Sequence, residues 1–341
     1  MARAGRVLFD RLVTGPRIGV SIAPQVPPAR IGELARGIEE AGADEVWLAE
    51  DCFFAGGIAA ASAALAATRH VTVGLGILPA AVRNAAFTAM ELAALAELYP
   101  GRIVAGLGHG MAGWMRQIGA YPRSPLTSIG EHLRTVRALL AGDEVTVDGD
   151  YVRLDAVRLD HPPAVVPAVL AGVRGPKSLA VAGRDADGVL LAWPVAPEYV
   201  AQSRALVERA WRDAGRPGRP TVVVASPVSV DPDPVLARER LRGAVAAELS
   251  LPSSNAHLEP LGILDDVVAL RGAGDLARRL PEEWLDRLTI AGDAAGCAAR
   301  IAGLHEAGVD AVVLALAADQ SPAEVIPALR DSFKNGSTSL P

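Results

Sequence analysis

One rhythm constrains this chain more than any other feature. A short β-branched run is followed by an amphipathic segment rich in Ala, Leu and Arg, and the unit recurs along the 341 residues. Strand-like runs fall at residues 17–22, 44–49, 71–78, 102–107, 165–171, 188–192, 221–225 and 311–315. Between the first two, Ile31, Leu34, Ala35 and Ile38 share one helical face, and Gly42 marks the helix stop. Further helices are expected at 58–68, 87–99, 129–141, 294–307 and 323–334. Nearly continuous apolar strands alternating with helices predict a parallel sheet covered on both faces. Eight such units favour a closed TIM-type (β/α)8 barrel, an α/β fold, over an open doubly wound sheet. Pattern alone leaves the open sheet as the alternative, because strand order is invisible in a sequence.

Length divided by about 150 residues would suggest two domains, but α/β barrels often exceed about 250 residues as one. The reading is therefore a single domain over 1–341 with two insertions. At about 142–164, Asp148-Gly149 between two alternating runs signals a hairpin. At about 250–290 lies a segment rich in Leu, Asp and Arg that is expected to be helical. The tail after Asn335 is polar and expected to fray.

Composition excludes several function classes. Net charge is −6, with basic residues scattered rather than clustered, which argues against nucleic-acid binding. The two cysteines, Cys52 and Cys297, form no CxxC or Cys/His cluster, so neither a disulfide framework nor a metal site is expected. Residues 1–14 lack the apolar run of about 7–15 residues that a signal peptide needs. No window approaches about 18 apolar residues, so no membrane span is expected. A cytoplasmic location fits these features. No GxSxG, HExxH or P-loop pattern occurs, which disfavours serine and zinc hydrolases.

In a TIM barrel the chemistry sits at the C-terminal strand ends. After the second strand come Glu50 and Asp51, a pair of acids of which at most one can face the barrel axis. Each could donate a proton or cap a helix. The third strand carries Gly74, Gly76 and Ile77, where glycine signals a bulge, a close ligand approach or tight packing. The fourth ends Gly106-Leu107-Gly108-His109-Gly110, and His109 could exchange a proton near neutral pH. After the fifth, Arg174-Gly175-Pro176-Lys177 opens a helix. Free N–H groups, the helix dipole and two cations there suit an anion such as phosphate. After the sixth, Trp193-Pro194 could wall a pocket. Together these features suit a redox cofactor that brings its own chemistry.

Three segments carry a family resemblance: residues 44–51, 71–78 and 101–108 resemble the luciferase-like monooxygenase family, and within it the coenzyme F420-dependent branch. Residues 139–154 resemble that branch's hairpin, and 175–188 its phosphate loop and sixth strand. The resemblance covers roughly 17–330. It implies a bacterial-luciferase-like barrel and hydride transfer at a deazaflavin, with FMN as the alternative cofactor. It also implies a bulge at Gly76-Ile77, often with a non-prolyl cis peptide, against the back of the ring. Gly106, Leu107, Gly108 and His109 would line the ring pocket; Arg174, Gly175, Pro176 and Lys177 would meet the phosphate. Glu50, Asp51 and His109 are the candidates for proton transfer. The substrate would be a small organic molecule, and a homodimer is suggested. Three readings follow: an F420-dependent oxidoreductase, an FMN-dependent monooxygenase, or a non-catalytic cofactor- or metabolite-binding barrel. The chain departs from relatives by carrying Asp51 where His is common and His109 where some sugar-phosphate-oxidising relatives have Glu.

Overall fold

A computed structural model describes residues 17–337. Residues 1–16, expected to carry no export signal, and the end of the tail, expected to fray, lie outside the described residues. The strands are β1 Arg17–Ile22, β2 Glu45–Leu48, β3 Thr72–Pro79, β4 Ile103–Gly108, β5 Val145–Asp148, β6 Arg153–Val157, β7 Ala168–Gly172, β8 Gly188–Leu191, β9 Thr221–Val230, β10 Ile290–Gly292 and β11 Ala311–Leu316. The main sheet runs β10-β9-β11-β1-β2-β3-β4-β7-β8, and β8 pairs back onto β9. Those eight barrel strands close a parallel ring, in register from Arg17↔Ala311 to Gly188↔Thr221. Closure removes the open-sheet alternative. The short β10 was not foreseen; it adds to β9 at Val228–Val230, beyond the point where the sequence pattern ends that strand.

Two apolar layers hold the ring. Inside it, Trp47, Val104, Leu170, Leu190, Val223 and Val313 fill the barrel, with Ile77 and Ala225 at its edge. A larger layer packs the outer strand faces against the helices. At the barrel's lower end Glu45 is fully buried; it accepts from Arg17 Nε and from Trp47 Nε1, both at 2.7 Å. Helix starts follow local chemistry. Asn84 Oδ1 accepts from the amides of Ala86 and Phe87 to cap helix Ala85–Leu98, and Ser124 caps Pro125–Leu140.

The hairpin is longer at its tip than Asp148-Gly149 suggests. Asp148 pairs with Arg153, leaving four residues in the turn. The cause is Glu131, on the helix Pro125–Leu140, which accepts from the amides of Asp150, Tyr151 and Val152 at 2.9–3.1 Å. A Cβ on Gly149 would sit 2.5 Å from Glu131 Oε2, so only glycine lets the carboxylate in. The second insertion is helical, with pieces at Asn255–Leu258, Leu264–Ala273, Leu276–Arg279 and Glu282–Leu288 leading into β10. Among the described residues no helix is long and apolar enough to cross a membrane, and no group of His, Cys, Asp and Glu side chains is arranged to hold a metal.

Candidate active site

Parallel closure gathers the C-terminal strand ends at one mouth. The glycines there have a specific job. A Cβ on Gly172 would strike Ile77 Cγ2; one on Gly106 would meet the Leu75 carbonyl oxygen first, with Ile77 Cγ2 at 3.2 Å, and one on Gly108 would lie 2.8 Å from the Gly172 carbonyl oxygen and 2.9 Å from Ile77 Cγ1. Further down, Gly19, Gly74 and Gly76 would each meet the Trp47 indole. The room these glycines open is therefore filled by Ile77, Trp47, Leu190 and neighbouring strand carbonyls. This corrects the simpler expectation that they leave space for a ring directly. Ile77, reached through a cis Gly76–Ile77 peptide at the break in β3–β4 register, is only partly buried. It forms an apolar floor; Leu107, expected to line the ring pocket, instead points outward and is buried in the outer layer against the helices.

Around that floor stand the polar candidates. Glu50 is committed: Arg83 Nε and Nη2 reach its two oxygens at 2.7 and 2.6 Å, and the Gly57 amide donates at 2.6 Å. Arg83 also binds Glu91 at 2.7 Å. These residues, with Val82 and Phe87, line a surface pocket of about 330 Å³. Glu50 thus ties the β2 exit to the loop after β3. Asp51 accepts no side-chain hydrogen bond among the described residues, and burial raises its pKa above the ordinary aspartate value. His109 is partly buried at the β4 exit, and burial lowers its pKa, opposed by a bond to the Pro125 carbonyl. His109 Nε2 shares a hydrogen bond of 3.1 Å with the Ser178 hydroxyl, its direction set by the imidazole tautomer. Ser178 was not foreseen; its place on the first turn after the Gly-Pro-Lys run was the available signal.

Helix Pro176–Asp185 begins at Gly175, with no side-chain cap and no acid in its first turn. Lys177 is exposed beside these free amides. Arg174 behaves differently. Its Nη1 lies 2.5 Å from Glu248 Oε1 and 3.4 Å from Ser253 Oγ, and its carbonyl accepts from Tyr199 Oη. Trp193 is half-buried after β8 and joined to Pro194 by a cis peptide. The Pro194 carbonyl accepts from His257 Nδ1 at 2.6 Å. His257, fully buried and stacked 4.1 Å from Tyr199, has its pKa pushed down to about 3 by burial and by Arg174. Neutral, it leaves Nε2 as an unpaired acceptor. Glu248, Ser253 and His257 come from the second insertion and the helix before it. Sequence reading missed them because their partners lie far away along the chain.

The chain resembles known proteins in sequence and fold. The chain is 28% identical over 306 residues to the 5,10-methylenetetrahydromethanopterin reductase of Methanolobus tindarius, covering 86% of this chain and 92% of that one. It is 29% identical to the F420-dependent glucose-6-phosphate dehydrogenase of Mycobacterium avium, covering 85% and 89%. Its fold matches a solved F420-dependent secondary alcohol dehydrogenase, in complex with an F420-acetone adduct, with a TM-score of 0.75 at 26% identity over 93% of this chain and 100% of that one. Residues 11–311, nearly the whole barrel and its mouth, fit the family description luciferase-like monooxygenase, and the chain belongs to that family.

Proposed function

We propose that this protein is an oxidoreductase that transfers hydride between a deazaflavin, coenzyme F420, and a small organic substrate at the barrel mouth. One observation carries the reading: a partly exposed apolar floor, Ile77, lies on the strand between Asp51 and His109, close to a helix start without acid or cap. A planar ring needs such a floor, and a phosphate needs free amides with a cation. The residues present fit both demands. The relatives' F420 dependence supports the choice of ring.

When bound, the deazaflavin supplies the hydride acceptor or donor. The chain's residues do the rest. Ile77 would support the ring. Pro176, which has no N–H, would set the start of the turn, and the amides of Gly175 and Lys177 with the Lys177 ammonium would hold the phosphate. Asp51, kept protonated to higher pH by burial, serves as acid, while His109, kept neutral, serves as base or hydrogen-bond partner through Nε2. Glu50, locked by Arg83, positions the Asp51 backbone. A homodimer is part of this reading, because Val82, Phe87, Met90 and Leu98 leave an exposed apolar stripe.

Titrating the purified protein with F420 and with FMN, followed by cofactor fluorescence, tests the proposal. Micromolar or tighter F420 binding is expected. Tighter binding of FMN would turn the reading to a flavin monooxygenase, and binding of neither would remove it.

A further inference from the structure

We propose that the substrate of this site is an uncharged molecule with an apolar body, and that the barrel mouth selects against anions such as phosphorylated or carboxylated compounds. The inference rests on the cofactor reading above and names the substrate class for the same site.

The strand exits around the Ile77 floor present apolar surface where a substrate would approach. Phe53 and Phe54 follow Asp51 and Cys52 and are 62% and 49% exposed. Met111, just past His109 and Gly110, is exposed as well. Trp193 is half-buried after β8. Both proton-transfer candidates thus have an exposed apolar side chain close by along the chain. Apolar surface left open around a cleft gains free energy when an apolar ligand covers it.

The arginines of the rim are already matched by acids. Arg83, after β3, is shared by Glu50 at 2.6 Å and Glu91 at 2.7 Å. Arg240 is shared by Asp231, the residue after β9, at 2.7 Å, and by Asp319, beyond β11, at 2.9 Å. Each of these two clusters holds two carboxylates and one guanidinium, and so carries one net negative charge. Arg174, after β7, is paired with Glu248 at 2.5 Å and adds no net charge. On the excursion after β4, Arg116 lies over the Tyr121 ring at 4.3 Å, and Arg123 is exposed at the far end, just before the Ser124 cap. Lys177 belongs to the cofactor phosphate in the reading above. An anion in the mouth would therefore lose water beside apolar side chains, find Arg83, Arg174 and Arg240 occupied, and meet a surplus of acids. A cation gains little more. Asp51 accepts no side-chain hydrogen bond among the described residues, but burial disfavours its charged form, which makes it a poor counter-ion. Ions of either sign are desolvated there without a partner, and the anion also meets like charge. An uncharged substrate meets neither cost, and its reacting group can still share a proton with Asp51 or His109.

The test uses three ligands that share one ring and differ in charge: benzyl alcohol, benzoate and benzylammonium, at about pH 7, where the carboxylate and the ammonium are both ionised. Each is titrated by calorimetry into protein already loaded with F420. Benzyl alcohol is expected to bind most tightly, benzylammonium next and benzoate most weakly, with a gap of about tenfold or more between alcohol and benzoate. Raising KCl from about 0.05 M to about 0.5 M should narrow that gap, because repulsion between like charges is screened. Glu91→Gln removes one acid and leaves the Glu50–Arg83 pair; it should strengthen benzoate by about threefold and move the alcohol by less than about twofold. Phe53→Ala should weaken the alcohol by about threefold to tenfold through lost apolar contact. Benzoate or benzylammonium bound as tightly as the alcohol, whichever residue holds it, overturns the uncharged class. So does benzoate whose affinity falls as salt rises, since that marks a cation in contact with it, and so does an alcohol that fails to bind at millimolar concentration. An E91Q protein with an unchanged gap overturns the role of the acid surplus, and alcohol affinity that F53A leaves untouched overturns the apolar wall. Protein that loads F420 and prefers benzoate refutes this inference alone; protein that takes up no F420 removes the cofactor reading, and this inference with it.

Discussion

Replacing Gly172 by Ala probes the floor of the site directly. The new Cβ would overlap Ile77 Cγ2, with Ile77 Cβ the next atom at 3.5 Å, whereas ordinary carbon contacts lie at about 3.5–4.0 Å. Gly172 ends β7 and pairs with Gly108 on β4, so its backbone cannot retreat without breaking the ladder. Ile77 must move instead, and being partly exposed it can move only upward into the mouth. Overpacking of this kind costs about 1–3 kcal/mol. The low end, about 1 kcal/mol, is expected here because one face of Ile77 is open. The larger effect should fall on coenzyme binding, since a floor displaced toward the ring removes its seat. A double-mutant cycle with Ile77→Ala isolates the contact. Urea denaturation should show a favourable coupling of about 1 kcal/mol between the two changes. Coenzyme titration should show G172A weakened more than tenfold, with partial recovery in G172A/I77A. Strict additivity in both measurements would refute the placement of Ile77 over Gly172.

Two further outcomes follow from the site and the hairpin. Asp51→Asn and His109→Asn, made singly, should each lower turnover by on the order of 10²–10⁴-fold while leaving F420 affinity nearly unchanged, read by steady-state rates beside fluorescence titration; wild-type turnover in both variants would show that neither residue serves the chemistry. Glu131→Gln should destabilise the protein by about 1–3 kcal/mol in chemical denaturation, because three amides of the hairpin turn lose a charged acceptor. Burial works against the Glu131 charge, but the bonds from Tyr151, Val152 and Asp150 outweigh it and hold the pKa below the usual glutamate value. Its stabilising effect is thus complete above an unfolded value of about 4.3 and is lost as pH falls through the lower folded value; a stability profile of E131Q that parallels wild type below pH 4.3 would contradict this.

The fold was largely legible because strand and helix periods are local. Arg17–Ile22, Gly188–Leu191 and Ala311–Leu316 lie where the apolar runs place them, to within a residue or two. What escaped was set by distant partners. The hairpin tip is shaped by Glu131, nearly twenty residues earlier, so the local Asp148-Gly149 signal points to too tight a turn. The β9 extension to Val230 depends on β10, which arrives from another part of the chain. The site was half legible. Residues at strand ends were found by the rule of the fold, and the helix start at Pro176 by its own chemistry. The partners that decide how those residues behave, Arg83 for Glu50, Ser178 for His109 and Glu248 for Arg174, are tertiary contacts that no spacing encodes.

The glycines show why reading small residues as ligand space goes one step too far. In this barrel they fall in two groups: Gly19, Gly74 and Gly76 around Trp47, with Leu190 also against Gly76, and Gly106, Gly108 and Gly172 around Ile77, with strand carbonyls also close to Gly106 and Gly108. A closed interior must be filled to near-crystalline density, so every residue lacking a side chain implies another that reaches across. Arg17 and Trp47 both bond the buried Glu45, the Trp47 indole lies against Gly76, and Ile77 follows at the top. The column therefore runs from the lower end of the barrel to the floor of the mouth, and it fixes the height at which a ring can rest. The loops above, which carry Asp51 and His109, can then vary without disturbing the support below. The division places tolerance to substitution at the rim and intolerance along the column below Ile77, around Trp47, where an added atom has no solvent into which it could be displaced.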